Sequence, residues 1–217
     1  FLFKFVLDNQ AAYSMTGVIA LVAGLVMAPL YPILNKRIPR RYLYLGGMTS
    51  MIIAYIMLGI FSTNMIMVFV ALVLFYVPGT LIQMTAILSL TDSIEYGQLK
   101  NGKRNEAVTL SVRPMLDKIG GAMSNGIVGF IAIAAGMTGD ATAADMTAAN
   151  ISTFKTCAFY VPLALIVLSL LVFMFKVKIS EKMHDDIVKQ LEAKLAAGEL
   201  EDESGEKSEG AAEDAPA

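Results

Sequence analysis

The sequence predicts an all-α transmembrane fold, and its composition, its long apolar stretches and its pattern of positive charge all favour it. Of the 217 residues, 56% are hydrophobic, and the mean hydropathy is positive, unlike that of a soluble domain. Five stretches are long enough to cross about 30 Å of hydrocarbon, which takes about 20 helical residues. Backbone groups inside lipid must bond within their own segment, so we expect each stretch to be a helix.

The five predicted spans follow one another with short connections. They cover residues 12–34, 42–61, 65–90, 107–137 and 154–175. The apolar run at residues 1–7 precedes them, and we interpret it as the end of a further, truncated helix. Together these segments predict a helical bundle over residues 1–178.

Positive charge predicts the orientation of the bundle, because Lys and Arg are retained in cytoplasmic connections. The basic residues cluster in every second connection, namely Lys36, Arg37, Arg40, Arg41, then Lys100, Lys103, Arg104, then Lys176, Lys178, Lys182. The alternate connections hold only Lys155. The C-terminus is therefore expected in the cytoplasm, and the chain is expected to be a multi-pass protein of the cell membrane.

The pattern changes after the last span. Met183, Ile187, Leu191 and Leu195 recur every four residues among charges, which predicts an amphipathic cytoplasmic helix over residues 179–198. Residues 199–217 are acidic and lack aromatic side chains, which predicts a disordered tail. The only histidine, His184, lies on the predicted helix. With no evident partner residues, we interpret it as a solvated surface residue rather than a pH sensor.

The composition also excludes several classes of function. One histidine and one cysteine provide neither a metal-ligand cluster nor a Ser–His pair, so we expect no enzyme, no metal site and no cofactor within this sequence. The acidic residues crowd into the tail, so the overall charge describes the tail and gives no indication of nucleic-acid binding, and we expect no nucleic-acid partner. The expected partners are therefore the lipid bilayer and a small molecule.

The fourth predicted span carries three charged side chains, Arg113, Asp117 and Lys118. A charge at the bilayer centre costs at least about 2.5–3.5 kcal/mol, so intramembrane charges indicate function by default. Arg113 and Asp117 are four residues apart and can pair on one helix face. Lys118 then requires a carboxylate elsewhere, and a cation-coupled carrier would supply one. The alternative is that Lys118 only bridges helices.

Further polar side chains belong with this candidate cavity. Ser111 and Asn125 fall on the same polar side of the predicted helix as the three charges, opposite an apolar arc. In the third span, Gln83 follows a Pro-Gly pair and is accompanied by Thr80 and Thr85. These side chains could bind sugar hydroxyls or join neighbouring helices, and the sequence leaves both interpretations open.

The connection at residues 90–107 is denser in charge than a short loop requires. It contains Asp92, Glu95, Lys103, Arg104 and Glu106. Networked charges on the cytoplasmic face can hold a carrier closed on that side and separate when it opens. A solvated loop with ordinary positive charge is the alternative.

These residues carry a family resemblance. The run DSIEYGQLKNGKRNEA, followed after three residues by SVRPMLDKIGGA, resembles the signature of the glycoside-pentoside-hexuronide:cation symporter family of the major facilitator superfamily. The resemblance implies a twelve-helix carrier built from two six-helix halves. This sequence would then be the C-terminal half, from late helix seven to helix twelve, with its first helix truncated.

The resemblance also implies roles. Lys118 corresponds to a lysine that lines the sugar and cation cavity, and Asp92, Glu95, Tyr96 and the basic loop with Glu106 correspond to the cytoplasmic gate. It implies symport of a sugar with Na⁺ or H⁺ by alternating access in a bacterial inner membrane. The coupling cation would be bound mainly by the N-terminal half, which this sequence lacks. A transport-inactive scaffold or sensor that keeps the carrier fold is the alternative.

Overall fold

The chain is helical in the computed structural model, which describes residues 1–103, 105–177 and 181–197. The helices are α1 (Ser14–Asn35), α2 (Arg40–Phe61), α3 (Met65–Asn101), α4 (Glu106–Ala134), α5 (Ala148–Lys155), α6 (Val161–Lys176) and α7 (Glu181–Ala196). Short π-helical segments occur at Leu2–Val6 and Thr156–Tyr160, and 3₁₀ turns occur at Gln10–Tyr13 and Ala143–Asp145. The predicted tail lies outside the described residues.

Among the described residues, four helical segments are long and apolar enough to cross a membrane, and they overlap four of the five predicted spans. They are Gln10–Asn35, Arg40–Phe61, Met65–Asn101 and Ala148–Lys176. The remaining one, the fourth predicted span, forms helix α4, a single helix of 29 residues, but α4 does not qualify on composition. Its charged residues and Asn125 lower its hydropathy, which is the same feature that marked it as a candidate site.

Helix α3 is longer than the sequence predicted. It continues through Asn101, so the expected charged connection is reduced to residues 102–105, where Gly102 adopts a φ of 74°. The hydroxyls of Thr91 and Ser93 donate to the carbonyls of Ile87 and Ser89, four residues back. Bonds of this kind satisfy the hydroxyl groups within the helix. Because α3 continues to Asn101, the charged residues Asp92 and Glu95 lie on a helix rather than in a loop.

The chain divides into two compact units. The first comprises Phe1–Thr85 and Ile119–Val177, and the second comprises Ala86–Lys118 and Lys178–Ala217, of which α7 is the described part after the last span. The core of the first unit gathers at the ends of its helices, and its buried members are Phe3, Phe5, Leu58, Val68, Ala71, Ile131, Ala135, Met137, Phe154 and Phe159. Met137, the last residue of the fourth predicted span, is among them.

In the first unit, α2 packs against α6 and the π-helical segment before it. Tyr44 stacks on Phe173 with ring centroids 3.8 Å apart. Gly59 gives Tyr160 room, since a Cβ there would lie 2.8 Å from the tyrosine ring. These contacts fix the last span against the second.

Asn150 joins the end of α4 to the start of α5. Its side-chain oxygen accepts hydrogen bonds from the backbone and hydroxyl of Thr147, forming the capping box of α5. Its amide nitrogen donates to the carbonyl of Ala135 at 2.8 Å, where Gly136 leaves the helix with a φ of 67°. One side chain therefore satisfies a helix N-terminus and a helix C-terminus.

Candidate functional site

Helix α4 positions the three charged residues that the sequence selected. The expected Arg113–Asp117 pair is present, with Nε 3.9 Å from Oδ2, and the two side chains are 32% and 71% exposed. Lys118 is exposed and makes no ion pair with a carboxylate among the described residues. That Lys118 takes its counter-ion from outside this sequence stays a prediction.

Both sides of α4 are open. Ser111 and Asn125 are exposed, and the Ser111 hydroxyl donates to the carbonyl of Val108 at 2.8 Å. The opposite apolar arc is exposed as well, as Met115 and Leu116 illustrate at 53% and 57%. An apolar side suits lipid, whereas a side with three charges requires water or protein.

Helix α3 separates the polar residues that the sequence grouped around Gln83. Gln83 is exposed, whereas Thr85 is only 1% exposed and shares a hydrogen bond of 3.1 Å with the hydroxyl of Tyr31 on α1. Two residues turn a helix by about 200°, so these side chains point in opposite directions. Thr85 therefore joins two helices, and Gln83 stays available to a ligand.

The predicted gate residues lie on and after the extended end of α3. Asp92 is 8% exposed, Glu95 is partly buried, and Tyr96 and Lys103 are exposed. Glu106 is partly buried at the start of α4. Arg104 lies outside the described residues. The spacing of Asp92 and Glu95, three residues apart, places both carboxylates on one face of the helix.

His184 is not a solvated surface residue, and that interpretation was wrong. Its Nε2 lies 2.5 Å from Oε2 of Glu95 and 3.3 Å from Oδ1 of Asp92. The side chains of His184, Asp92 and Glu95 are 18%, 12% and 24% exposed. Their separation in sequence hid the contact, because the two carboxylates precede the histidine by about 90 residues.

An apolar contact supports the same docking of α7 on α3. Ile187 and Leu191 are 4% and 6% exposed, and Leu99 packs against them. His184, Ile187 and Leu191 follow the i, i+3, i+7 spacing of one helix face, whereas Met183 is 39% exposed. That spacing was the available signal that His184 belongs to the buried face of α7.

Helices of membrane length, together with three charged side chains on helix α4, are typical of a transporter-type membrane protein. The chain belongs to the MFS/sugar transport protein family, which it matches over residues 1–181. The predicted resemblance and the major-facilitator type of helical bundle are therefore confirmed, as is the expectation that the chain is not an enzyme.

Sequence relatives agree with the family. The chain is 54% identical to a lactose permease of Leuconostoc lactis over 198 residues, 91% of this chain. It is 49% identical to a lactose permease of Lactobacillus helveticus over 93% of this chain, and 36% identical to a raffinose carrier protein of Pediococcus pentosaceus over 88%. The matches cover 31%, 31% and 30% of these relatives, so the chain spans less than a third of their length.

Proposed function

We propose that this chain forms part of the C-terminal six-helix half of a secondary active sugar carrier, which moves a sugar together with Na⁺ or H⁺ by alternating access. The family and the names of the relatives support transport of a sugar. Of the three relatives named above, two are called lactose permeases and one a raffinose carrier, which favours an oligosaccharide. Lactose is therefore the first substrate to test.

The charged side of α4 is the observation that carries the proposal. Arg113, Asp117 and Lys118 lie on a helix of membrane length, yet they are partly or fully exposed in this chain. Facing lipid, these charges would cost several kcal/mol. A second half that covers this side of α4 and encloses a water-filled cavity removes that cost.

The residues of the cavity suit a neutral, hydroxyl-rich ligand and a cation. Gln83 and Asn125 each offer an amide donor and an acceptor, and Ser111 offers a hydroxyl. The partial pairing of Arg113 with Asp117 leaves Lys118 as the positive charge that competes with a coupling cation for a carboxylate of the other half. Sugar and cation would then be linked through the position of Lys118.

The gate on α3 supplies the second requirement of alternating access, which is a closure that breaks on one side of the membrane. Asp92 and Glu95 present two carboxylates on one helix face, and Tyr96, Lys103, Arg104 and Glu106 follow them in sequence. In this proposal these residues form the cytoplasmic gate, and α7 and the C-terminus lie in the cytoplasm.

Counterflow of labelled lactose tests the proposal, using the full-length carrier that contains this sequence, reconstituted in vesicles. We expect rapid exchange in the unchanged protein, because counterflow needs alternating access but no ion gradient. Absence of exchange of lactose and of raffinose would favour the scaffold or sensor and would overturn the proposal.

A substitution on α4 tests the assigned role of Lys118. We expect Lys118→Ala to reduce uphill sugar accumulation to the background level, because the link between cation and sugar is lost. Lys36→Ala is the matched control, since Lys36 is an exposed lysine in the connection between α1 and α2, and it should accumulate sugar normally. Unchanged accumulation by Lys118→Ala would contradict the role of Lys118.

A further inference from the structure

A groove lies between the end of α2, helix α5 and the π-helical segment Thr156–Tyr160. Its volume is about 380 Å³, and the residues that line it include Gly59 from α2 and Ser152, Lys155 and Tyr160 from the start of the last span. None of these residues was assigned to the sugar cavity or to the gate. The groove is therefore a separate candidate site.

Lys155 marks the depth of the groove in the bilayer. Between Lys155 and Lys176 the chain carries no charged side chain, and a helix over this stretch is about 30 Å long, which matches the hydrocarbon thickness. The two lysines therefore lie at the two edges of the hydrocarbon, where the lipid headgroups begin. Tyr160 is 43% exposed, and tyrosine is enriched at this depth because its ring is apolar and its hydroxyl is polar.

The groove contains hydrogen-bond donors that the protein leaves without a partner. Lys155 is partly buried and makes no ion pair with a carboxylate that the structure describes. The hydroxyl of Thr156 donates to the carbonyl of Ser152 at 2.9 Å, whereas those of Ser152 and Tyr160 make no hydrogen bond to any described residue. One ammonium group and two hydroxyl groups therefore line one groove, which suits an anionic oxygen group such as phosphate.

The surface that continues from the groove toward the membrane centre is apolar. Ala164, Leu168 and Leu171 follow Tyr160 at the i+4, i+8 and i+11 spacing of one helix face, and all three are exposed. A free anion would use only the polar groove and leave this surface uncovered. A phospholipid uses both, because its phosphate reaches the lysine while its acyl chains cover the apolar face of α6.

We propose that the groove binds an anionic phospholipid, with its phosphate at Lys155, its headgroup hydroxyls at Ser152 and Tyr160, and its acyl chains along α6. In the predicted orientation this lipid belongs to the external leaflet. The proposal does not rest on sugar transport, since it concerns a surface that faces the bilayer whatever the carrier moves.

Photolabelling tests the site. The full-length carrier is placed in phosphatidylcholine nanodiscs that contain a small fraction of phosphatidylglycerol with a photoreactive acyl chain, and the labelled peptides are identified by mass spectrometry. We expect strong labelling of α6 that unlabelled phosphatidylglycerol displaces and added inorganic phosphate does not. Labelling of the exposed face of α1 provides the normalisation, because it reports insertion of the carrier independently of the groove.

Substitutions in the groove give the matched comparison. Lys155→Gln should lower the normalised labelling of α6 about fivefold, the contribution of one lysine near an anionic lipid surface, and Lys155→Arg should retain it. Tyr160→Phe keeps the ring against Gly59 and removes the hydroxyl, so labelling should fall roughly twofold to fivefold. Lys36→Gln removes an exposed lysine from another connection and should leave the labelling of α6 unchanged.

The outcomes decide between a lipid, a free anion and no site. Equal labelling of α6 by photoreactive phosphatidylcholine, or unchanged labelling in Lys155→Gln, overturns the proposal. Displacement by inorganic phosphate overturns the assignment to a lipid in favour of a free anion. If the unchanged carrier exchanges no sugar, the proposed function fails, while the labelling still decides whether the groove binds an anionic phospholipid.

Discussion

The hydrogen bond between Tyr31 and Thr85 offers a direct test of how α1 and α3 are held together. The two hydroxyl oxygens lie 3.1 Å apart, and the residues are 4% and 1% exposed. Tyr31→Phe removes one hydroxyl without changing the shape of the ring. Thr85→Val removes the other and keeps the branched side chain, so the pair forms a double-mutant cycle.

The magnitude follows from burial and environment. A buried hydrogen bond contributes about 1 kcal/mol, and double-mutant cycles between membrane helices average about 0.6 kcal/mol with a maximum near 1.7. A threonine that loses its partner can donate to the carbonyl four residues back, which limits the loss. We therefore expect each single variant to lose about 0.5–1.5 kcal/mol, with a coupling of about 0.6 kcal/mol between them.

Reversible unfolding of the chain in mixed micelles, titrated with a denaturing detergent, measures these free energies. Tyr42→Phe is the control, because Tyr42 is 65% exposed and its hydroxyl should contribute nothing measurable. A coupling free energy of zero between Tyr31→Phe and Thr85→Val would refute the argument that this bond joins the helices.

Two further predictions concern packing and pH. Gly47→Ala should destabilise the chain relative to Gly46→Ala by about 1–3 kcal/mol in the same assay. A Cβ at Gly47 would lie 2.8 Å from Ile82, whereas a Cβ at Gly46 would meet none of the surrounding atoms. Equal stabilities of the two variants would contradict this prediction. Thr142 donates two hydrogen bonds to Asp145, which lower the pKa of that carboxyl. The capping box is therefore intact above the ordinary pKa and lost as the pH falls through the lowered value. The protection of the Thr142 amide, its exchange rate relative to that of an unfolded chain at the same pH, should therefore fall in acid, and in Asp145→Ala it should be low throughout.

The spans and the polar side of α4 could be predicted because they depend on local properties. Length and apolar content identify a membrane helix, and a charge at membrane depth is costly wherever the helix packs. The pairing of Arg113 with Asp117 is also local, since it needs only a helical spacing of four. These features were therefore predicted without knowledge of the tertiary structure.

The features that sequence reasoning missed depend on packing. The end of α3 looked like a loop because charged residues usually mark connections. In the structure, the hydroxyls there donate to carbonyls of α3 itself, and Glu95 hydrogen-bonds to His184 of α7. The contacts of His184 and Tyr31 join residues 54 or more positions apart. A 3.6-residue period gives the face of each helix but not the neighbour that covers it, so neither partner could be named from the pattern.

The two hydrogen bonds of the Asn150 side chain make the chain sensitive to deamidation at this residue. Its oxygen caps α5 and its nitrogen holds the carbonyl of Ala135, so deamidation to aspartate would keep the first bond and replace the second with two oxygens facing each other. Deamidation of Asn150 would therefore weaken the connection between the end of α4 and the start of α5.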